Sequence, residues 1–160
     1  MLFLATHRRR VFFRVCLCVS ALVAGPALAQ PNESPVGFWV TVDDDGKTRK
    51  AVVQIEKRGM QLIGKIVRLI NPKKKDPTCD DCDGRNRGKP VLGMEILWGL
   101  RRDGEEWSGG HILDPENGKV YQCIVEVVEG GKQLKVRGYI GLSLLGRTQY
   151  WFRASNANGG

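Results

Sequence analysis

The sequence predicts an all-β protein, an eight-stranded antiparallel up-and-down barrel, preceded by an N-terminal export signal. Three observations support this prediction. After Gln30, eight segments show strand signals, nearly all of them are joined by short turns, and no window shows a convincing helical period. Closing the sheet into a barrel removes its exposed edges, which favours this architecture over an open sandwich, the alternative.

The strands follow one another along the chain between strong turn signals. In the first strand, Phe38 and Val40 lie on one face and Trp39 lies on the other. A run of aspartates that ends at Gly46 follows this strand. Later turns contain Pro, Gly and Asn-Gly, which favour tight antiparallel connections. The predicted strands comprise residues 36–42, 51–56, 60–70, 94–100, 107–113, 120–128, 133–140 and 147–153.

Residues 1–29 are typical of a signal peptide. A basic region at residues 7–10 precedes an apolar stretch, and the pattern Ala27-Leu28-Ala29 predicts cleavage after Ala29. The apolar stretch is shorter than the ~20 residues of a spanning helix, so a membrane anchor is the weaker alternative. The arginines at 9–10 also resemble a twin-arginine signal, which leaves the export route open.

The sequence therefore predicts a soluble protein of the bacterial periplasm or a secreted one. We expect a linker at residues 30–35, a single barrel domain at 36–154 and a flexible tail at 155–160. The 160-residue chain has 25 Lys and Arg against 17 Asp and Glu, but four Arg lie in the first 29 residues. The remaining 21 basic residues give a net charge of +4, which requires no nucleic-acid partner.

The mature chain would keep three cysteines. Cys79 and Cys82 form a C-x-x-C in a polar loop, and in an oxidising compartment this predicts a local disulfide. The alternatives are a thioredoxin-type redox pair, a zinc site that includes His111 and Cys123, and a disulfide between Cys123 and one of the pair. Redox and zinc chemistry lack the required context, because there is no βαβ pattern and no second C-x-x-C.

The sequence offers little support for catalysis. His111 is the single histidine after the signal, no G-x-S-x-G is present, and the acidic residues cluster in turns where solvation explains them. No phosphate-binding loop or dinucleotide fingerprint occurs. We therefore assign no catalytic residue, no metal ligand and no cofactor from the sequence.

The last strands carry a polar and aromatic pattern. Arg147, Gln149 and Trp151 share one face of the final strand, and Arg137 and Tyr139 alternate on the preceding one. If these faces point inward, they form one cluster that suits a small anionic or amphipathic ligand, with Tyr121 as a further contact. Two buried arginines need neutralisation, for which Glu126, Glu95 or a bound anion are the candidates. The alternative is that these side chains only satisfy one another in a filled barrel.

Residues 71–90 form the one long irregular segment. Three consecutive lysines (73–75) and later basic residues alternate with acidic ones, a pattern typical of a solvated loop. Loops of this length are functional or disordered. In the interaction-module alternative, a filled barrel would contact an envelope partner or membrane surface through this loop. The sequence does not predict the oligomeric state.

Several motifs resemble the domain of unknown function 2147 family. They are Gly37-Phe38-Trp39, the run from Gly109 to Pro115, the run from Asn117 to Tyr121, the run from Leu134 to Tyr139 and the run from Gly146 to Arg153. The resemblance covers almost the whole mature chain and implies an exported bacterial protein with a lipocalin-like barrel. The family has no agreed activity, so the resemblance implies nothing about the ligand.

Trp39 and Arg153 also resemble the lipocalin signature. There, a tryptophan on the first strand packs under an arginine from the last strand at the closed end of the barrel. A guanidinium above an indole face is a favourable cation–π pair. The resemblance therefore implies that these two residues close the barrel floor rather than contact a ligand.

Overall fold

A computed structural model describes residues 34–160, in which eight antiparallel strands form one closed barrel. Each strand pairs with its neighbours in chain order, and β1 also pairs with β8, where Trp39 lies opposite Arg153. The strands are β1 Gly37–Val42, β2 Arg49–Arg58, β3 Gln61–Leu69, β4 Glu95–Asp103, β5 Glu106–Leu113, β6 Val120–Val128, β7 Gln133–Tyr139 and β8 Gly146–Ala154. The predicted fold class is confirmed.

The signal peptide and the first part of the linker, residues 30–33, lie outside the described residues. Ser34 and Pro35, the last residues of the predicted linker, contact the barrel. Pro35 is buried, and its carbonyl oxygen accepts a 2.8 Å hydrogen bond from Trp39 Nε1. The chain therefore enters β1 across the end of the barrel that holds the Trp39 ring.

Large apolar side chains fill most of the barrel interior. Because side chains alternate along a strand, every second residue points inward. A Cβ added at Gly64 would lie 3.0 Å from the Leu97 Cβ and 3.3 Å from the Val53 Cγ1, on the neighbouring strands β4 and β2, so these side chains leave no room for one on this part of β3. The buried inward-facing side chains include Trp39, Val53, Ile55, Leu62, Leu97, Leu100, Trp107, Val125, Leu134, Val136 and Trp151.

The two ends of the barrel differ. Short turns close the end where residues 34–36 enter, between β2 and β3, β4 and β5, and β6 and β7. The opposite end, which we call the mouth, carries the loops 43–48, 70–94, 114–119 and 140–145. Three of these mouth loops are short, and the fourth contains the C-x-x-C motif.

The long mouth loop is stapled and packed against the barrel. Cys79 and Cys82 form a disulfide, as predicted, and both residues are fully buried. The Cys79 sulfur lies 3.4 Å from the carbonyl oxygen of Pro115, in the turn between β5 and β6. A bridge between Thr78 and Pro90 closes the segment. The loop therefore covers part of the mouth as a fixed element.

The C-terminal residues, for which the sequence predicts a flexible tail, lie against the outer face of the barrel. The Gly159 backbone packs on Val40 and Val52, which form a small external apolar cluster. The carbonyl oxygen of Gly160 accepts a 2.7 Å hydrogen bond from the Ser155 backbone N–H, and Arg68 donates to the carbonyl oxygen of Asn158. This cover explains why outward-facing valines of β1 and β2 are buried.

Cys123 is a free thiol in the barrel wall. It is fully buried, and this burial raises the pKa of its thiol to about 12. A thiol with so high a pKa stays protonated and is a poor nucleophile near neutral pH. The alternative pairing of Cys123 with Cys79 or Cys82 is therefore wrong.

Within residues 34–160, helical structure is limited to three short turns, and none of it is long and apolar enough to cross a membrane.

Candidate ligand-binding site

The register between β7 and β8 decides which predicted ligand-binding residues face the interior. Val136 lies opposite Gln149, and Leu134 lies opposite Trp151. Leu134 and Trp151 are both buried in the core, so their face is the inner one. Gly138, opposite Arg147, shares that face. Arg147, Gln149 and Trp151 therefore form an inward row that runs from the mouth toward the core.

The prediction of a single cluster is wrong for Arg137 and Tyr139. Arg137 lies opposite Thr148, and both point outward. The turn places Tyr139 opposite Gly146, so the odd-numbered residues of β7 pair with the even-numbered residues of β8 and lie on the same outer side of the sheet. Period-two alternation gives the faces of each strand but not their relative register.

Arg137 holds the neighbouring loop instead of a ligand. Its Nε and Nη2 atoms donate to the carbonyl oxygen of Ser143 at 2.8 and 2.5 Å, and Nη2 also donates to that of Leu144 at 3.1 Å. Its Nη1 donates to Thr148 Oγ1 at 2.8 Å. The guanidinium therefore fixes the turn between β7 and β8 from the outside.

The inward row ends on a carboxylate at the mouth. Trp151 Nε1 donates to Gln149 Oε1 at 3.2 Å, and Gln149 Nε2 donates to Asp44 Oδ1 at 3.4 Å. Arg147 forms an ion pair with the same Asp44 oxygen. Asp44 belongs to the loop between β1 and β2. Arg147 and Gln149 therefore already hold a carboxylate at the barrel entrance.

The acids expected to neutralise the arginines have other partners. Glu126 pairs with Lys135 at 2.8 Å, and Glu95 pairs with Arg58 at 3.0 Å. The sequence did not indicate Asp44, because its run of three aspartates is typical of a solvated turn. The predicted topology could have indicated Asp44, because the turn that contains it lies at the same end of the barrel as the start of β8.

A second ion pair connects β2 to the turn between β5 and β6, although β2 is not a neighbour of either strand in the sheet. Lys50, at the start of β2, pairs with Glu116 in the turn between β5 and β6, and lies 3.5 Å from Asp43. The hydrogen bond to Glu116 raises the pKa of Lys50, against the effect of partial burial. This pair connects opposite sides of the mouth.

Tyr121 completes the inner wall near the mouth. It lies on the inward face of β6, opposite Ile112, and its hydroxyl oxygen accepts a 3.2 Å hydrogen bond from Asn117. Gly138 lies on the strand between those of Tyr121 and Arg147, and it contributes no side chain to the wall. Of the six residues predicted to bind a ligand, Tyr121, Arg147, Gln149 and Trp151 thus lie on the inner wall.

Two cation–π pairs lie at the closed end. The Arg153 guanidinium lies 4.1 Å from the Trp39 ring centre, and it also donates hydrogen bonds to the carbonyl oxygens of Ser34, Val36 and Gly131. The expected Trp39–Arg153 contact is therefore present. Sequence reasoning missed the second pair, in which Lys57 Nζ lies 5.4 Å from the Trp107 ring centre. The sequence does indicate this pair, because the two-residue alternation of β2 places Lys57 on the same inward face as Val53 and Ile55.

The remaining chemistry of the described chain is sparse. Among residues 34–160, no group of three His, Cys, Asp or Glu side chains is arranged to hold a metal ion. The disulfide removes both thiolates that the zinc alternative required. His111 stacks on Trp98 on the outer face, with ring centres 5.7 Å apart.

A groove of about 450 Å³ borders the mouth on the outside. It lies between the disulfide loop and the turn that follows β5, with Leu113 and Val120 in its apolar part. Asp81, Asp83 and Lys119 contribute its charges, and Ile140 lies at its edge. A second cavity, of about 360 Å³, lies at the closed end beside Arg153.

Comparison with known proteins agrees with this architecture. Residues 37–153 match the model of a family described as uncharacterized protein conserved in bacteria, DUF2147. The structure is similar to that of protein HP1028 from Helicobacter pylori, which is described as belonging to the lipocalin family. The two share 17% sequence identity with a TM-score of 0.67, over 79% of this chain and 86% of the other. No curated protein matches the sequence.

Proposed function

The chain belongs to the DUF2147 family of uncharacterized bacterial proteins, and from its lipocalin-like barrel we propose that it binds a small anionic or amphipathic ligand at the mouth. One observation supports this proposal above the others. Arg147 and Gln149, on the inner face of β8, hold the carboxylate of Asp44. An anionic group of a ligand would replace that carboxylate.

The exchange of Asp44 for a ligand has a small energetic cost. The side chains of Arg147 and Asp44 are 54% and 63% exposed, so neither partner must be extracted from a buried site. Exposed ion pairs contribute only about 0–1 kcal/mol. Arg147 would keep a negatively charged partner throughout, and a guanidinium binds a carboxylate through two parallel hydrogen bonds.

The apolar part of the ligand would lie against the inner wall below Arg147. Tyr121 offers aromatic surface there, Trp151 is buried beneath Gln149, and Gly138 adds no side chain between the strands of Tyr121 and Arg147. Deeper in the barrel, buried apolar side chains such as Leu97, Leu100 and Leu134 occupy the interior and leave no room for a ligand. We therefore propose a shallow site at the mouth and a small ligand, instead of a long chain that would extend through the barrel.

Native mass spectrometry of the protein recovered from its own cells tests whether a ligand is present. A retained small molecule with an acidic group supports the proposal. A reproducible protein partner without such a molecule supports the second candidate below and contradicts the first.

Substitution of Arg147 tests the assigned site. With benzoate and hexanoate as probes, we expect Arg147→Met to weaken binding by up to about fivefold, because an ion pair at this exposed position contributes up to about 1 kcal/mol. Titration calorimetry measures the change. Asp44→Asn should tighten binding, since it removes the competing carboxylate.

Two controls accompany this measurement. Arg101→Met removes an exposed arginine at the closed end of β4 and should leave binding unchanged. Benzamide, which lacks the charge, should bind more weakly than benzoate to the unmodified protein. Equal affinity of the Arg147→Met protein and the unmodified protein for both anions would contradict the site.

The second candidate function is an interaction module. The packed interior and the disulfide-stapled loop favour it, because a filled barrel with one fixed, charged loop needs no ligand to act. In this case, residues 71–90 would contact a partner of the bacterial envelope. The loop combines Lys73, Lys74 and Lys75 with several aspartates, so such a contact would be polar and sensitive to salt.

We further propose that the protein acts after export, in the periplasm or outside the cell. The disulfide supports this location, because disulfides persist in oxidising compartments. The expected mature chain begins at Gln30. Intact mass measurement of the protein from its native host should give the mass of residues 30–160, and a mass that includes residues 1–29 would contradict the predicted cleavage.

A further inference from the structure

The loop between β7 and β8 exposes four large aliphatic side chains at the rim of the mouth. Ile140, Leu142, Leu144 and Leu145 are 66%, 70%, 87% and 79% exposed. Single exposed apolar residues are ordinary on a protein surface, but four within six residues are not. We call this set the apolar tip.

The shape of the apolar tip is fixed from beneath. Arg137 donates hydrogen bonds to the carbonyl oxygens of Ser143 and Leu144, and the Leu145 backbone N–H donates to the carbonyl oxygen of Leu142 at 3.0 Å. These bonds form a short turn at Ser143–Leu145 that points the leucines away from the barrel. The apolar side chains are therefore presented to the surroundings instead of packing on the barrel.

The hairpin that carries the tip has an unusual charge pattern. From Gly130 to the C-terminus there is no acidic residue, and five basic residues occur at 132, 135, 137, 147 and 153. Lys119 lies beside Ile140 at the edge of the outer groove, although Asp81 and Asp83 face the same groove. Only Arg137 and Arg147 of these five lie toward the mouth, and Arg147 is paired with Asp44. The disulfide loop at the same end of the barrel holds six basic residues against four aspartates, so the mouth combines aliphatic side chains with a moderate excess of positive charge.

We propose that the apolar tip inserts into the interface of an anionic lipid bilayer and turns the mouth of the barrel toward it. The tip is convex and purely aliphatic, so it suits a deformable apolar medium better than a protein surface, which would need a matching pocket. The excess of basic residues in the disulfide loop, at the same end of the barrel, complements negatively charged lipid headgroups. This docking is separate from the proposed ligand binding and does not depend on it.

Vesicle binding of the chain as recovered from cells tests the proposal. Flotation with vesicles of phosphatidylcholine, alone or mixed with phosphatidylglycerol, should show binding that is stronger with the anionic lipid and weaker at high salt. Leu144→Asp/Leu145→Asp should reduce binding by at least about 100-fold, because each buried leucine corresponds to roughly tenfold or more in affinity. All variants must have the same N-terminus by intact mass, so that residues 1–29 do not contribute to the difference.

The matched control is Met60→Asp. Met60 is 79% exposed in the turn between β2 and β3 at the closed end, so this change removes a comparable apolar side chain from the opposite end of the barrel. It should leave vesicle binding within about twofold of that of the unmodified protein. Thermal unfolding of each variant establishes that the barrel is intact.

A direct readout comes from Leu144→Trp. Trp39, Trp107 and Trp151 are buried and Trp98 is half-buried on the outer face, so the added indole is identified by quenching by a bromine-labelled lipid that exceeds that of the unmodified protein. Quenching by vesicles supports insertion of the tip. Vesicle binding that persists in the double aspartate variant, or absence of binding to both vesicle types, overturns the proposal. In the latter case, a concentration-dependent dimer in sedimentation would assign the tip to a second copy of the chain.

Discussion

Replacing Gly118 by alanine is expected to lower the free energy of unfolding by about 2–5 kcal/mol. Gly118 has φ +70°, in the left-handed region, where a Cβ costs about 1–2 kcal/mol. A Cβ at this position would also overlap the carbonyl group of Asp81 and lie 2.7 Å from the Cys82 backbone nitrogen. Overpacking adds roughly 1–3 kcal/mol, because backbone atoms must move. Chemical denaturation measures the change.

Gly104→Ala separates the two contributions. Gly104 has φ +62° in the turn between β4 and β5, and a Cβ there would meet no atom within 4 Å. This variant should therefore lose only about 1–2 kcal/mol. Equal losses for both variants would show that the disulfide loop does not press on the turn that contains Gly118.

The site of this clash predicts a local effect as well. In Gly118→Ala, the disulfide loop must move away from the turn between β5 and β6, so the amide of residue 118 in that turn should exchange hydrogen faster than in the unmodified protein. The backbone N–H of Cys79, which donates to the Lys89 carbonyl oxygen at 2.9 Å, belongs to the loop itself and should remain protected longer than that of Gly118, whose N–H donates to Asp114. Hydrogen exchange thus distinguishes displacement of the loop from its unfolding.

The strands and the barrel could be predicted from local patterns. All eight strands lie within two residues of their predicted bounds at most ends, because alternation and Gly-rich turns are properties of adjacent residues. The exception is the end of β4, which continues through charged residues to Asp103. This extension depends on pairing with a neighbouring strand, which overrides the polar character of the side chains.

The candidate site depended on information that local patterns lack. A shift of one residue between β7 and β8 would have put Arg137 beside Gln149, and the sequence of the connecting loop does not specify that register. The partner of Arg147 was also unpredictable. Asp44 reaches it from a loop about a hundred residues earlier, and only closure of the barrel brings β1 beside β8.

The packing of the C-terminal tail was missed for a related reason. Residues 155–160 are small and polar, which is typical of a disordered end. Their contacts with Val40, Val52 and Arg68 involve residues distant in sequence, and they depend on glycine backbone that can approach closely. The alternation of Val40 and Val42 with Trp39 indicated only that both faces of β1 are apolar.

Replacement of Arg153 by methionine is expected to lower the free energy of unfolding by about 3 kcal/mol. Arg153 contacts the Trp39 ring and hydrogen-bonds three carbonyl groups from the segments that enter and close the barrel end. Methionine keeps apolar contact through its side chain but loses the charge and every donor. Desolvation of the guanidinium, which lowers the pKa of Arg153, offsets part of its contribution. Arg153→Lys should lose less, since it keeps the charge but not the planar donor group.

The same end of the barrel allows the cation–π contribution to be measured separately. In a double-mutant cycle of Arg153→Met with Trp39→Leu, the two losses should be coupled by about 1 kcal/mol, because leucine has no aromatic face and each change removes the same contact. Arg49→Met, at an exposed arginine near the mouth, should change stability by less than about 0.5 kcal/mol. Strictly additive losses would mean that Arg153 acts through its hydrogen bonds alone, with the Trp39 ring serving only to fill the closed end.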